Sequence, residues 1–310
     1  MKNFQAGGEI LIVGSGSMAC LFAYKLAMAG SHISMYGAWR EGIDALQKRG
    51  VTLVAGDGTA QSIPLVRATG NPTQLGRYNL VLFLNKTYQL KESLDALGHW
   101  WNRNKYPGTV FVTLQNGLGN CERILERFGA NQCFAGTTTY AASLVKPGCV
   151  KQTGDGQVEL PMALMAAPAS QWLNTAGFNT VGHIEIKELL WRKLVINSVI
   201  NPLTAIYRIP NGELLHSQGI RELIIKVVDE VILVAQSDGI CLDRDEMLNA
   251  VEKVCNQTAQ NISSMRKDLE RGNRTEIEAI NGAVVTKAQL AGIPVPVNQW
   301  LLTQIKEKAG

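Results

Sequence analysis

Three polar side chains lie at a regular spacing in an otherwise apolar stretch of the chain, residues 187–214. Lys193, Asn197 and Asn201 follow one another at intervals of four residues, so on a helix they fall within roughly 80° of arc. The residues around them leave no wide polar face, which is typical of a helix buried nearly all the way round. The polar stripe therefore lies among apolar neighbours that favour burial away from water. A buried ammonium and buried amides need hydrogen-bonding partners.

Two interpretations of the polar stripe remain open from these residues alone. In the first, a polar ligand or other protein groups meet the ammonium and the amides. In the second, Lys193 extends its charge into solvent and the asparagines bond to nearby backbone. The choice between them depends on whether the rest of the chain contains elements that would bring a ligand to the stripe.

A glycine-rich turn follows the first apolar run of the chain. Residues 9–13 predict a strand, and a helical pattern follows the turn as far as Ala29. The turn consists of Gly14, Ser15, Gly16, Ser17, Met18 and Ala19. It matches the dinucleotide fingerprint G-x-G-x-x-G/A, in which the first glycine permits a tight turn and the second admits a pyrophosphate. The turn predicts a nucleotide site, and the alternative is a glycine turn that serves packing only.

Further candidate residues stand just beyond three later strands that the apolar pattern predicts. Arg40, Lys86 and Asn116 each follow a short apolar run, and in open α/β sheets ligands bind beyond the carboxyl ends of strands. No Asp or Glu ends the strand before Arg40, although a site for NAD places an acid there. The alternatives are an arginine that starts a helix in solvent, a solvated loop lysine and a turn asparagine.

The pattern changes from mixed α/β to all-α near residue 186. Strands and helices alternate before this point, with a hairpin expected over residues 51–68, and amphipathic helical runs follow it. We therefore predict an α/β fold, with a Rossmann-type dinucleotide-binding domain over residues 1–186. An all-α substrate and catalytic domain is expected over residues 187–310. Within it, a capping-box pattern at residues 275–278 predicts a helix start, with Glu276 at the first helical position.

Composition narrows the class of partner. The chain has 310 residues, 46% of them hydrophobic and 18% charged, as expected of a soluble globular protein. A net charge of +4 without a Lys/Arg run argues against nucleic acid. No run of 18 apolar residues predicts a membrane span. Residues 1–9 lack a secretory leader, so we expect a cytoplasmic protein.

Cysteines and histidines give no sign of a metal site. The six cysteines are scattered without a CxxC pair, so we expect reduced core residues rather than disulfides or zinc ligands. The four histidines stand in no shared constellation with other candidate residues. No metal is therefore expected.

Taken together, these motifs resemble the ketopantoate reductase (2-dehydropantoate 2-reductase) family over nearly the whole chain. The motifs are GSGSMA at 14–19, NK at 85–86, LQNGLG at 114–119, LWRKLVINSVINPLTA with IPNGEL within 190–214, and SSMRKDLERGNRTEIEAINGAVV at 263–285. The resemblance implies NADPH-dependent reduction of a 2-oxo acid to a 2-hydroxy acid in pantothenate synthesis. It also implies a Rossmann domain followed by a helical domain.

The resemblance assigns roles to residues of the predicted helical domain. Lys193 matches the catalytic lysine of the family, and Glu276 matches its active-site carboxylate. Asn197, Asn201 and Ser264 match substrate-binding side chains. Hydride addition to a ketone develops negative charge on oxygen, which an ammonium can stabilise and protonate. Glu276 would offset the burial cost of a charged lysine or bind a substrate hydroxyl.

The resemblance also assigns residues to the cofactor. Asn116 matches a strand-end asparagine at the nicotinamide side, next to the substrate, and Lys86 matches a lysine that contacts the cofactor. Many members carry a basic residue where this chain has Ala38, with Arg40 two residues further on. We predict NADP(H), because Arg40 can bond a 2′-phosphate and no carboxylate stands there to repel it.

Two other functions stay open. One is a related reductase that acts on a different 2-oxo acid, and the other is a sensor that binds NADP(H) without turnover. The intact set of Lys193, Ser264 and Glu276 argues against a sensor, which needs no acid facing the nicotinamide. The expected partner is a small-molecule 2-oxo acid, and the sequence leaves open whether the chain forms a homodimer.

Overall fold

The computed structural model describes residues 8–129 and 132–309, so the prediction about a leader falls mainly on residues outside the described ones. The chain divides into two compact units. The first unit consists of Met1–Gln115 with Gly119–Ile186, and the second of Asn116–Leu118 with Lys187–Gly310. The predicted first domain ran without interruption to residue 186, whereas the structure assigns the short segment Asn116–Leu118 to the second unit.

The described residues of the first unit form strands and helices. The strands are β1 (Glu9–Val13), β2 (His32–Tyr36), β3 (Val51–Val54), β4 (Ala60–Ile63), β5 (Arg67–Thr69), β6 (Leu80–Phe83), β7 (Val110–Thr113), β8 (Cys133–Ala135), β9 (Thr137–Thr138), β10 (Ala141–Lys146), β11 (Cys149–Gly154), β12 (Val158–Pro161) and β13 (Thr180–His183). The helices are α1 (Ser17–Met28), α2 (Arg40–Arg49), α3 (Leu90–Asn104), α4 (Asn120–Phe128) and α5 (Pro168–Thr175).

A parallel six-stranded sheet forms the centre of the first unit. Its order is β5-β2-β1-β6-β7-β8, and every neighbouring pair is parallel. Residues 10–13 of β1 are fully buried, as expected for a strand covered on both faces. The strand order reverses between β1 and β6, and such a reversal opens a ligand-binding crevice at the carboxyl ends of the strands.

Two smaller sheets complete the first unit. One has the order β10-β11-β3-β4, and the other has the order β13-β12-β9. The strands β3 and β4 pair antiparallel, which is the hairpin predicted over residues 51–68. Gly50 precedes this hairpin with a φ of +69°, and a Cβ on it would meet the Ile63 carbonyl oxygen at 1.9 Å. Glycine is therefore required where α2 ends and the hairpin begins.

The described residues of the second unit form helices joined by turns and loops, with no strand among them. Its helices are α6 (Ile186–Tyr207), α7 (Gln218–Ser237), α8 (Arg244–Gln257), α9 (Ser264–Glu270), α10 (Asn281–Ala291) and α11 (Pro296–Ala309). Trp191, Val195, Val199 and Leu203 of α6 are almost completely buried in its core. The prediction of an α/β unit followed by an all-α unit is confirmed. None of the helices among the described residues has the length and apolar character needed to cross a bilayer.

The predicted long helix at residues 187–214 ends earlier than expected. The helix α6 stops at Tyr207, and a separate 3₁₀ turn covers Asn211–Leu215. Arg208 adopts a left-handed φ of 57°, and the Ile209 amide donates back to the Thr204 carbonyl at 3.2 Å. A left-handed residue followed by a bond of this kind is a usual way for a helix to end.

The predicted capping box at residues 275–278 is wrong, because the helix α10 begins only at Asn281. In a capping box, the Glu278 carboxylate would accept from the backbone amide at the helix start. Here it instead bonds Arg274 at 2.6 Å and Lys306 at 2.9 Å. Glu276 consequently lies in a series of turns, where its carbonyl accepts from the Ala279 and Ile280 amides.

The cysteines are less uniform than predicted. Cys20, Cys149 and Cys255 are buried, whereas Cys121 and Cys133 are half-buried and Cys241 is exposed. All six are free thiols. The expectation of core residues therefore holds for only half of them, because α4 and β8 lie at an edge of the sheet and Cys241 follows the end of α7.

Candidate functional site

The glycine turn after β1 has the geometry that the fingerprint requires. Gly14 has a φ of +131°, and a Cβ on it would lie 2.8 Å from the Asn85 backbone nitrogen. Its own amide donates to the Tyr36 carbonyl at the end of β2, at 2.7 Å. The turn is thus held tightly between the ends of β2 and β6, and only glycine fits there.

Gly16 differs from Gly14 because the protein leaves space around it. A Cβ on Gly16 would meet no atom within 4 Å, and its φ of −81° suits any residue. Gly16 precedes α1, which has no side-chain cap and no acidic residue in its first turn. The open space therefore faces uncapped amides and a positive helix end, which is the environment that a pyrophosphate requires. Ala19 is fully buried, as expected for the small residue that lets the helix pack closely on the sheet.

Two buried amide side chains fix the strand ends next to this turn, and the sequence analysis did not find them. Gln115 donates from Nε2 to the Asn85 carbonyl at 2.8 Å, and it accepts from the Thr113 hydroxyl at 3.0 Å. Asn85 in turn donates to the Ser93 hydroxyl at 3.2 Å. These bonds hold the backbone immediately before Lys86, whose side chain is half-buried.

Arg40 is the first residue of α2, three positions after Gly37 at the end of β2. A Cβ on Gly37 would lie 2.8 Å from the Ser15 hydroxyl, so this strand end borders the glycine turn. The Arg40 side chain is 93% exposed and lies 3.9 Å from Asp44 one helical turn on. Such an exposed pair holds the guanidinium weakly, which leaves it accessible to an anion.

The polar stripe of the second unit lies on α6 in partly buried surroundings. Asn201 is only 8% exposed, and Lys193 and Asn197 are half-buried. Their neighbours Leu194 and Ile200 are buried. The flanking Leu189 and Leu190 are only half-buried, so the setting is less dry than the sequence predicted, although the amides and the ammonium do stand on one face of a single helix.

The neighbouring cation Arg192 forms ion pairs away from the stripe. Its guanidinium forms two hydrogen bonds with the Glu246 carboxylate of α8, one of them at 3.0 Å, and it lies 3.7 Å from Glu188. The bond to Glu246 is the main cause that raises the pKa of Arg192. Of the two adjacent bases, Lys193 is thus the one that belongs to the stripe.

Ser264 opens α9 close to α6. The preceding residue, Ser263, is buried and caps this helix by accepting from the Arg266 amide at 3.2 Å. Its hydroxyl lies 2.7 Å from the Thr204 hydroxyl of α6. Thr204 follows Asn201 by three residues, so this hydroxyl pair ties the start of α9 to the end of the polar stripe. Ser264 itself is exposed.

Asn116 and Glu276 meet directly. The Asn116 side-chain amide donates to Glu276 Oε2 at 3.2 Å, and Glu276 is only 7% exposed. Gly117, with a φ of +87°, would place a Cβ 2.3 Å from the Ala279 carbonyl oxygen. The segment after β7 thus packs against the turns that carry Glu276, and glycine permits the close approach.

The comparison with known proteins agrees with these motifs. The family described as ketopantoate reductase PanE/ApbA matches residues 10–163, and its C-terminal part matches residues 185–309. The chain belongs to this family. It is a family of oxidoreductases, and the resemblance stated from the motifs is confirmed.

Individual relatives cover almost the entire chain. The 2-dehydropantoate 2-reductase of Halobacterium salinarum is 30% identical over 304 residues, covering 96% of this chain and 98% of its own. A PanE/ApbA family ketopantoate reductase from Ralstonia eutropha JMP134 has a TM-score of 0.88 at 24% identity, covering 97% and 98%. A ternary structure of D-mandelate dehydrogenase with NADH and anilino(oxo)acetate has a TM-score of 0.87 at 25% identity, with the same coverage.

The family motif IPNGEL has a structural explanation in this chain. The Asn211 amide donates to the Asn261 carbonyl at 3.0 Å, and its side chain donates to the Thr258 hydroxyl at 2.9 Å. Gly212 packs on Ala259, which a Cβ would approach to 2.7 Å. This 3₁₀ turn therefore fixes the segment that leads into Ser263 and Ser264. From its residue types the motif predicts only a loop, and the long-range contacts show that it fixes a neighbouring segment.

Proposed function

We propose that this chain reduces the 2-oxo acid 2-dehydropantoate to pantoate with NADPH. The observation that carries the proposal is the polar stripe on α6, in which a lysine and two amides share one partly buried face in a ketopantoate reductase family member. The glycine turn of the first unit, with open space in front of the uncapped start of α1, supports binding of the dinucleotide. In this proposal, the first unit holds the cofactor and the second holds the substrate.

Lys193 is the proton donor of the proposed reaction. When bound, the reduced nicotinamide supplies a hydride to the carbonyl carbon of the 2-oxo acid. The Lys193 ammonium stabilises the negative charge that develops on the carbonyl oxygen and transfers a proton to it. The product carries a hydroxyl at that carbon, and the neutral amine regains its proton from solvent.

The remaining polar side chains orient the substrate. Asn197, Asn201 and Ser264 donate hydrogen bonds to the carboxylate and hydroxyl groups of 2-dehydropantoate, which fixes the carbonyl toward the hydride donor. Glu276 accepts from a substrate hydroxyl or balances the charge of Lys193. Asn116 already donates to Glu276, and this bond orients the carboxylate before the substrate arrives.

The direct test is a panel of 2-oxo acids ranked by kcat/KM with purified protein and NADPH. We expect 2-dehydropantoate to rank first, ahead of unhydroxylated branched 2-oxo acids and of phenylglyoxylate. A higher kcat/KM for phenylglyoxylate would favour the second candidate, an aromatic 2-oxo acid reductase, which the likeness to D-mandelate dehydrogenase suggests. Binding of NADPH without turnover of any member of the panel would instead indicate a sensor.

Arg40 is proposed to select NADPH over NADH. One or two charge-assisted hydrogen bonds to the 2′-phosphate, each contributing about 1.5–3 kcal/mol, imply a preference of about ten- to several-hundredfold. We expect Arg40→Ala to weaken NADPH binding by this factor and to leave NADH binding unchanged, as measured by fluorescence titration. The control is Arg49→Ala at the other end of α2. Equal affinity for both cofactors in the wild type would refute this role.

A further inference from the structure

A proline interrupts the hydrogen bonding of α6 next to the polar stripe. In an α-helix, the amide of each residue donates to the carbonyl four residues earlier. Pro202 lies inside α6 and has no amide hydrogen, so the Ser198 carbonyl loses its partner within the helix. Ser198 is completely buried, and a buried carbonyl without a partner is costly. A donor from elsewhere is therefore required at this turn.

Asn281 supplies that donor. Its Nδ2 donates to the Ser198 carbonyl oxygen at 3.0 Å, across 83 residues of sequence. Asn281 is the first residue of α10 and is completely buried. Its Oδ1 has no hydrogen-bond partner among residues 8–129 and 132–309, so its bonding depends on the amide nitrogen.

A buried carboxylate determines which way this amide points. Glu230 of α7 accepts from the Asn298 side chain and from the Val297 and Asn298 amides, each at 2.8 Å. A carboxylate can only accept, so Asn298 must turn its nitrogen to Glu230 and its Oδ1 away. That Oδ1 accepts from Asn281 Nδ2 at 2.9 Å. The polarity of this chain of bonds leaves the Asn281 amide nitrogen directed at α6.

We propose that Asn281 is a positioning residue for the reaction, acting through the Ser198 carbonyl to hold the turn of α6 that carries Asn197 and Asn201. This inference rests on the proposed function, because it assumes that those asparagines hold the substrate. The turn from residue 198 to residue 202 includes Asn201 and directly follows Asn197. Loss of the bond lets this turn move, and the two amides no longer match the substrate carboxylate.

The test compares Asn281→Ala with Thr286→Val, which removes a side-chain bond to the Gly282 carbonyl one turn along the same helix. We expect Asn281→Ala to raise KM for the 2-oxo acid about tenfold or more, as an unsatisfied buried acceptor implies. The Kd for NADPH and the pH dependence of kcat should stay unchanged. Thr286→Val should leave KM at the wild-type value. A folded Asn281→Ala with normal KM overturns the proposal, because a purely structural role would lower only Tm.

If Asn281→Ala folds poorly, the same substitution can be tested in the Pro202→Ala variant. Pro202→Ala restores a backbone amide for the Ser198 carbonyl, so Asn281→Ala should cost less in Tm, and raise KM less, in that background than in the wild type. Equal costs in both backgrounds, or failure of the double variant to fold, would overturn the link. Turnover by the wild-type protein reports separately on the proposed function, so the two failures are distinguishable.

Discussion

The two proposed sites, one in each unit, are built from different parts of the chain. The first unit relies on backbone, since Gly14 and Gly16 provide a tight turn and an open space in front of the uncapped end of α1. The second unit relies on side chains from α6, from the start of α9 and from the turns around Glu276. A backbone site needs only one short segment, whereas a side-chain site needs several distant segments held in register.

This difference implies different sensitivity to mutation. In the first unit, adding a side chain should block the ligand while the fold survives, provided that the space is open as it is at Gly16. In the second unit, removing one side chain should abolish chemistry or loosen the network, while nucleotide binding survives. Cofactor affinity and turnover, measured on the same variants, separate the two units.

The largest effect is expected for Lys193→Ala. Loss of the proton donor should lower kcat by about 10²–10⁴-fold, while the Kd for NADPH stays within about twofold of the wild type. The matched control is Lys187→Ala, which removes an exposed lysine from the same helix and should leave kcat unchanged. Near-normal kcat in Lys193→Ala would remove the lysine from the mechanism and leave the stripe with a structural role only.

The next effect distinguishes two glycines of the same turn. Gly16→Val should raise the Kd for NADPH by at least about tenfold with little change in Tm, because nothing lies within 4 Å of its Cβ. Gly14→Ala should lower Tm, since strain at a positive φ and contact with Asn85 cost about 1–3 kcal/mol. Calorimetry and a fluorescence titration measure both quantities. An unchanged Kd for NADPH in Gly16→Val would show that the turn serves packing only.

The smallest effect concerns acid stability of the second unit. Asp238 accepts from Trp191 at 3.0 Å and from Lys287 at 2.8 Å. Burial alone would raise the pKa of Asp238, but these two bonds and the charges of Lys287 and Lys187 together outweigh it, and that pKa lies below its ordinary value of 3.8. The ionised group therefore stabilises the fold above about pH 4, and this contribution is lost as the pH falls through the lowered pKa.

We accordingly expect Asp238→Asn to lower Tm at pH 7, with a gap to the wild type that narrows as the pH falls from about 5 to 3. The control is Glu252→Gln in the middle of α8, whose side chain is exposed and which should leave Tm unchanged at every pH. A gap that stays constant with pH would mean that the charge of Asp238 contributes nothing.

The features that the sequence predicted correctly are those with a local signature. The parallel sheet and the glycine turn have local signatures, namely apolar runs and a six-residue motif, and both were found. The spacing of Lys193, Asn197 and Asn201 was also visible, because four residues make about one helical turn. The role of Arg40 stays a prediction that the cofactor titration tests, and the cofactor contact of Lys86 stays a prediction.

The features that the sequence did not predict depend on contacts between distant segments. The capping box before α10 failed because Glu278 pairs with Lys306 of another helix, a contact that local spacing does not reveal, as well as with Arg274 four residues earlier. The bonds of Gln115 to Asn85 and of Thr204 to Ser263 were missed for the same reason. Polar residues of these types occur in any loop, and only the fold gives them partners.

The most direct test of the account is isotope transfer. NADPH that carries deuterium at both C4 positions of its nicotinamide is mixed with the purified protein and 2-dehydropantoate, and the product is examined by mass spectrometry. The proposed hydride transfer predicts one deuterium at the carbon that bore the oxo group in every molecule of pantoate, and a greatly reduced rate with Lys193→Ala. Binding of the labelled cofactor without transfer of deuterium to any 2-oxo acid would contradict it.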